Sequence, residues 1–392
     1  MKIKGFFKDV GGANAVTKKR KQAFDHAPAK ENYYDPIGEV AKKLHGGFIT
    51  LKIADIKPAS KTAKTIRFTS VDHIPLFKAG QCLSLVVRVG RSLASRPYSI
   101  SSAPSESRGE KGFLEITVRK PRDNGFIGDY LYDYARIGDE FQAEVGEGMF
   151  YYEPLRDAPR IVAIAGGSGI TPFLSMAREI KNGLLDLDLI ILYGSVSEDD
   201  IVLRKELDKC KCDRVRIVHV LSGDNPEWKG KKGLIDRKLI AKYSEGDVSY
   251  FICGPHEMVG FVKGELEALN VPRRRIRIEI PGPVKDVSKL DGFPSDKRGK
   301  EFFITVCQGI AETTITARAS EPIATALERA GMKIHTACRS GVCGHCRIKV
   351  LEGNYFVKPM MDGRRAADKD FNYVYACSTY PLGNMKIKIN IE

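Results

Sequence analysis

Four cysteines near the C-terminal end of the chain have a spacing that suits a metal cluster. Cys338, Cys343 and Cys346 read C-x4-C-x2-C, and Cys377 lies further on. Thiolates are soft ligands for iron or zinc. A zinc site usually closes two C-x2-C knuckles round one ion. This three-plus-one grouping is instead the one that shares four thiolates between two irons, a 2Fe-2S centre that moves one electron at a time. Gly341 and Gly344 let the loop curl so that backbone N–H groups face the sulfurs. Arg339 and His345 add positive potential beside it. Cys82, Cys210, Cys212 and Cys307 have no clustered partners and read as small buried hydrophobes or surface thiols. Nine cysteines, four of them in one constellation, do not form a disulfide framework, which points to a reducing, cytoplasmic setting.

A second chemistry-bearing stretch runs from Ile161 to Pro172. The apolar strand Ile161-Val162-Ala163-Ile164-Ala165 enters Gly166-Gly167-Ser168-Gly169 and then a helix opening at Thr171-Pro172. Glycines allow a tight turn and close backbone approach, and the helix N-terminus faces a pyrophosphate. Further on, Cys253-Gly254-Pro255 ends another strand, at the sheet edge where ligands gather. A third stretch, Arg96-Pro97-Tyr98-Ser99, follows the strand Cys82 to Val89.

These motifs resemble those of the ferredoxin-NADP reductase superfamily, and the C-terminal unit resembles plant-type ferredoxin. The resemblance covers about residues 47 to 392. It implies that R-x-Y-S binds a flavin: Tyr98 stacks on the ring, Ser99 donates at N5, and Arg96 holds phosphate. Pro97 shapes the strand between them. Gly125, Ile127 and Gly128 stand where the family has its second phosphate loop, although Gly128 replaces a frequent Ser. Gly146-Glu147-Gly148-Met149-Phe150 resembles the FAD-containing branch, so FAD is expected over FMN. Gly166, Gly167, Gly169, Thr171 and Pro172 match G-G-S/T-G-I/V-T-P, and Cys253, Gly254 and Pro255 match C-G-P at the nicotinamide. Ser195 follows a strand where the adenosine ribose is expected. Val196 replaces an arginine common in NADPH users, and Glu198 and Asp199 would repel a 2'-phosphate, so NADH is favoured over NADPH. The implied catalytic residues are Tyr98, Ser99, Thr171 and Cys253. The implied metal ligands are Cys338, Cys343, Cys346 and Cys377.

The elements that must position these residues follow from patterning. With 392 residues and 43% hydrophobic composition, the chain suits several domains. Short alternating runs (Phe48 to Ile53, Thr65 to Phe68, Cys82 to Val89, Leu114 to Arg119) predict an antiparallel β-barrel flavin domain over 47–155. Apolar strands alternating with helices predict a parallel-sheet α/β nucleotide domain over 156–281. A Pro-, Gly-, Asp- and Lys-rich stretch predicts an exposed linker over 282–300. A hairpin, short helix, cysteine loop and final strand predict a β-grasp 2Fe-2S domain over 301–392. Residues 1–46 form a basic extension with little apolar periodicity, expected to be a solvated arm.

The expected function is electron transfer from NAD(P)H through flavin to the 2Fe-2S cluster and on to a protein acceptor. The alternatives are direct reduction of a quinone or ferric chelate by flavin, flow in reverse to NAD(P)+, and a binding module with degenerate sites. The net charge of +14 points to an acidic redox partner docking near the cluster. No nucleic-acid motif accompanies the charge, and no apolar run is long enough for a transmembrane segment.

Overall fold

The computed structural model describes residues 6–26, 40, 47–90, 92–120, 126–224, 226–279, 286–290, 292–357 and 362–389. The chain divides into two compact units, Met1–Lys42 and Lys43–Glu392. Among the described residues of the first lies α1 (Phe6–Asp25), with residues 11–23 exposed. Low apolar periodicity anticipated that exposure but not a helix. Ala, Lys, Arg and Gln after Gly11-Gly12 are good helix formers, and without an apolar stripe nothing draws the helix into a core.

In the second unit, six strands form one antiparallel sheet. They are β1 (Phe48–Ser60), β2 (Ala63–Ser70), β3 (Cys82–Val89), β4 (Ser92–Ser99), β5 (Leu114–Arg119) and β6 (Glu140–Glu147), in the order β4-β3-β6-β1-β2-β5. Alternation sends Leu51, Ile53, Ile66, Phe68, Leu83, Leu85 and Ile116 into one core. The sheet curls until its edges meet: Ile100, just past β4, bridges Ile116 of β5, and Ser101 N donates to Glu115 O at 2.8 Å. Arg96 to Ser99 therefore lie on an edge strand drawn against its opposite edge.

A parallel sheet follows, built from β7 (Arg160–Gly166), β8 (Asp188–Ser195), β9 (Val215–Leu221), β10 (Lys231–Lys232), β11 (Val248–Cys253) and β12 (Ile276–Glu279). Its order is β10-β9-β8-β7-β11-β12. Helices α2 (Thr171–Lys181), α3 (Arg204–Cys210) and α4 (His256–Ala268) belong to this region. Hydrophobic clusters on both faces explain why β7 and β11 are almost continuously apolar instead of alternating. All pairings are parallel, so Gly166, Ser195, Cys253 and Glu279 finish at the same edge of the sheet.

The C-terminal region begins with the hairpin β13 (Glu301–Gln308) and β14 (Ala311–Arg318), followed by α5 (Ile323–Arg329). Then come β15 (Arg347–Glu352), β16 (Tyr355–Val357), β17 (Tyr373–Tyr375), β18 (Thr379–Pro381) and β19 (Met385–Lys388). Five strands form the sheet β14-β13-β19-β15-β17, and β16 pairs with β18. Ile304, Val306, Leu327, Ile348 and Ile387 form its core with the buried Cys346 and Cys377.

The stretch expected to be an exposed linker is anchored where it is described. Val287 and Phe293 are buried with Ala319 and Tyr380, and Phe293 meets Phe356 edge-on at 5.4 Å. Two apolar side chains in a polar, Pro- and Gly-rich segment suffice to hold it down.

Candidate functional site

The glycine-rich turn and the C-G-P turn, far apart in sequence, touch backbone to backbone. A Cβ on Gly169 would fall 2.1 Å from Cys253 O and 2.8 Å from Gly254 N, and one on Gly254 would fall 3.1 Å from Gly166 N. Gly167 has φ +54°, a left-handed conformation that suits glycine. Pro172 stands in the first turn of α2, where its missing N–H costs nothing, and Thr171 Oγ1 donates to Ser168 O at 2.9 Å. Pro255 precedes α4 and lies against Gly166. Together they set the N-terminus of α2 at the carboxyl edge of the parallel sheet, on a close-packed turn with no room for side chains. The arrangement fits a dinucleotide pyrophosphate.

At the end of β12, next to Cys253, stands a residue the sequence reading missed. Glu279 pairs in register with Cys253. Its Oε2 accepts from Ser99 Oγ at 3.3 Å and lies 3.9 Å from Cys253 Sγ. The structure thus brings two of the expected catalytic residues, from different sheets, to one carboxylate. Thr171 instead serves the opening turn of its helix. Burial pushes the Glu279 carboxyl up to about 7, against the lowering effect of the Ser99 hydrogen bond. Cys253 is raised as well, by burial and by Glu279. A lone glutamate on a short edge strand has no spacing signal by which sequence could find it.

The Glu279 shift makes a stability prediction. Between the ordinary carboxyl range and about pH 7 the folded protein holds a proton that the unfolded chain has lost, so stability falls as pH rises through that window. The full shift is worth roughly 3 kcal/mol. Denaturant melts of wild type and Glu279→Gln from pH 5 to pH 8 should show a downward slope in the first and a flatter line in the second. Parallel slopes would contradict the assignment.

On the flavin-motif strand β4, burial raises the Tyr98 hydroxyl to about 12, and the ring packs against the core of the curled sheet. Arg96 Nη1 donates to Ser95 O at 2.8 Å and to Glu328 Oε2 at 3.1 Å. Ile127 has its side chain in the core, so only its backbone can face a phosphate; Gly128 is half-buried in the helical turn Phe126–Asp129. Gly125 lies outside the described residues. Arg119, at the end of β5, is a second residue the sequence reading missed. Its guanidinium pairs with Asp200 and stands over Gly167, whose Cβ would meet Nη1 at 2.6 Å. Ser195 is buried at the end of β8.

The cysteine loop lies against the flavin-motif strand. Arg339, next to Cys338, is 1% exposed and donates Nη1 to Ser95 O at 2.9 Å. On the other side of the loop, His335 and His345 meet at 3.0 Å and face Glu144 and Glu147 of β6. The four thiols form two pairs: Cys343 lowers Cys338 by hydrogen bonding, and Cys377 does the same for Cys346. Backbone N–H groups point at the sulfurs, Cys343 N to Cys338 Sγ at 3.4 Å and Cys377 N to Cys346 Sγ at 3.5 Å. Gly341 and Gly344 take φ +80° and +84°, as the curl requires. Among the described residues, no three His, Cys, Asp or Glu converge on a point that could hold one metal ion. The C-x4-C-x2-C run with Cys377 supplies the four thiolates that a 2Fe-2S centre takes. Arg339 Nε is buried with no partner, a spare donor for an electron-rich group beside Cys338.

Fold and site define an oxidoreductase with a nicotinamide-nucleotide domain and an iron–sulfur domain in one chain. Residues 163–264 match the family described as oxidoreductase NAD-binding domain, and residues 305–382 match the 2Fe-2S iron-sulfur cluster binding domain. The ferredoxin–NADP reductase B of Sorangium cellulosum is 31% identical over 242 residues, 58% of this chain and 95% of that protein. The chain belongs to the ferredoxin–NADP reductase family. One component of the 1,2-phenylacetyl-CoA epoxidase of Escherichia coli K12 is 27% identical over 355 residues, 86% of this chain and 95% of that one. Phthalate dioxygenase reductase, described as a modular structure for electron transfer from pyridine nucleotides to [2Fe-2S], shares the fold. Its TM-score is 0.63 at 22% identity, covering 88% of this chain and 98% of that chain. No helix among the described residues is long and apolar enough to cross a membrane.

Proposed function

We propose that this chain takes electrons from NADH at the Cys253–Glu279 edge, passes them through a flavin beside β4, and delivers them from the cysteine loop to a separate redox protein. The observation that carries this reading is the convergence on β4: Ser99 shares a carboxylate with Cys253, while the preceding Ser95 accepts from the cysteine loop. When bound, a flavin accepts hydride and a 2Fe-2S cluster takes single electrons, so the flavin belongs between nicotinamide and cluster.

The chain's own residues supply the rest. Gly166, Gly167, Gly169 and Gly254 let backbone close on the dinucleotide, and Arg119, paired with Asp200 over Gly167, adds positive charge beside its pyrophosphate. Ser99 Oγ and the Glu279 carboxyl hold and move the proton at flavin N5. Arg96 and the backbone around Gly125 to Gly128 hold phosphate. Cys338, Cys343, Cys346 and Cys377 would hold the 2Fe-2S cluster, which would supply one-electron transfer. The curled sheet is a flavin-binding barrel over 47–155, the parallel sheet a nucleotide domain over 156–281, and 301–392 a β-grasp domain. FAD is favoured over FMN by the Gly146 to Phe150 segment. The exit side is the exposed Cys343 with Val342 beside it, and the chain's positive charge selects an acidic acceptor.

NADH is preferred because Val196 stands where NADPH users commonly have an arginine, and Glu198 and Asp199 would repel a 2'-phosphate. Val196→Arg should shift the NADPH-to-NADH ratio of kcat/KM upward by about tenfold or more. An unchanged ratio would place the ribose elsewhere.

The function is tested on the purified protein by releasing and weighing its flavin, assaying iron and labile sulfide, and adding NADH anaerobically. The reading requires flavin, equal iron and sulfide, and bleaching by NADH. A colourless protein ends it.

A further inference from the structure

A buried ion network joins the cysteine loop to the flavin strand. Glu328, on α5 and 4% exposed, accepts from Arg339 at both ends of the guanidinium, Nη1 to Oε1 at 2.5 Å and Nη2 to Oε2 at 3.0 Å. The same carboxylate accepts from Arg96 Nη1 at 3.1 and 3.3 Å and from Ser95 N at 3.4 Å. Arg339 holds a left-handed φ of +53°, a conformation a non-glycine residue keeps only where its surroundings over-determine it. Two guanidiniums share one carboxylate, so the network carries an excess positive charge where water is scarce. Such a charge calls for a further anion. The bonds from Arg96 to Ser95 and Glu328 all leave from Nη1, and Nε and Nη2 take no part in them.

We propose that Glu328 is a positioning residue that couples occupancy of the flavin phosphate to docking of the cysteine loop. This rests on Arg96 being the phosphate ligand. The phosphate supplies the missing anion and fixes Arg96, Arg96 fixes Glu328, and Glu328 fixes both α5 and Arg339 beside Cys338. The coupling is reciprocal: a docked loop presents Arg96 already oriented, so phosphate-bearing flavin binds more tightly. A bound phosphate thus strengthens the docking of the cluster loop, and the docked loop strengthens the hold on phosphate.

FMN and riboflavin differ only by the phosphate, which makes them the probes. Hydrogen exchange is followed at α5 and at residues 336–346 in full-length protein stripped of flavin with its cluster retained. FMN should slow exchange there by about tenfold, and saturating riboflavin should not. In Glu328→Gln that difference should vanish, and the preference for FMN over riboflavin should shrink by about tenfold. Glu328→Asp, which keeps the charge on a shorter arm, should restore part of both and guards against a misfolded Gln variant. Equal protection by the two flavins, or FMN protection that survives in a folded Glu328→Gln, overturns the coupling. If FMN binds the wild-type protein no more tightly than riboflavin, the assignment of Arg96 falls and the coupling falls with it; the affinity measurement separates that failure from FMN that binds more tightly without protecting α5.

Discussion

Cys343→Ser abolishes delivery to a protein acceptor while leaving hydride uptake intact. Cys343 is exposed, so the substitution removes a ligand without opening a core cavity. With one of four thiolates gone, the cluster is lost or its potential displaced. NADH-driven reduction of cytochrome c, used as a one-electron acceptor, should fall by about 100-fold or more. Ferricyanide, which draws electrons from flavin directly, should be reduced at close to the wild-type rate. The same comparison separates this account from direct reduction of a small molecule at the flavin. On that alternative, turnover of a quinone or ferric chelate would persist and would be the physiological activity, with the cluster a bystander.

Gly169→Ala closes the opposite end of the path. The added Cβ would meet Cys253 O at 2.1 Å, with Cys253 C at 2.5 Å. No flexible side-chain tip is there to give way, only the backbone of β11 and its turn. The glycine-rich loop and the C-G-P turn must part, and the turn proposed to face the dinucleotide loses its shape. Overpacking of this kind costs about 1–3 kcal/mol of stability, and misplacing the nicotinamide by an ångström costs about 100-fold in rate. NADH oxidation should therefore collapse. Dithionite should still reduce the cluster, since the cysteine loop is held by Ser95 of β4. A variant that oxidises NADH normally would show that the nicotinamide lies elsewhere.

The two ends were not equally legible in the sequence. Local spacing carries the cysteine loop and the glycine-rich turn, because ligand geometry and close backbone approach each demand particular residues at fixed offsets. Strands such as Cys82 to Val89 and Leu114 to Arg119 fall where alternation placed them, and Ile161 to Ala165 lies within β7 as its continuous apolar character required. What stayed hidden depends on tertiary contact. Glu279 gains its meaning only when β12 brings it beside Cys253 and the curled sheet brings Ser99 to it. Arg119 and Asp200 lie on different sheets. Glu328 gains its partners only when α5 packs on β4, and Val287 and Phe293 looked like linker until Tyr380 and Phe356 covered them. Gly125, expected at a phosphate, falls outside the described residues. The exposed helix α1 was hidden for the opposite reason: it follows helix propensity alone, with no apolar period to announce it.

The central claim is a sequence of events, NADH to flavin to cluster, along one chain. It is tested most directly by mixing the protein with NADH anaerobically, following flavin absorbance by stopped flow, and freezing samples for electron paramagnetic resonance. The account predicts flavin bleaching first, then the signal of a reduced 2Fe-2S centre rising as flavin recolours. A cluster that stays oxidised while the flavin remains fully reduced, or one reduced at the same rate in protein stripped of flavin, would contradict it.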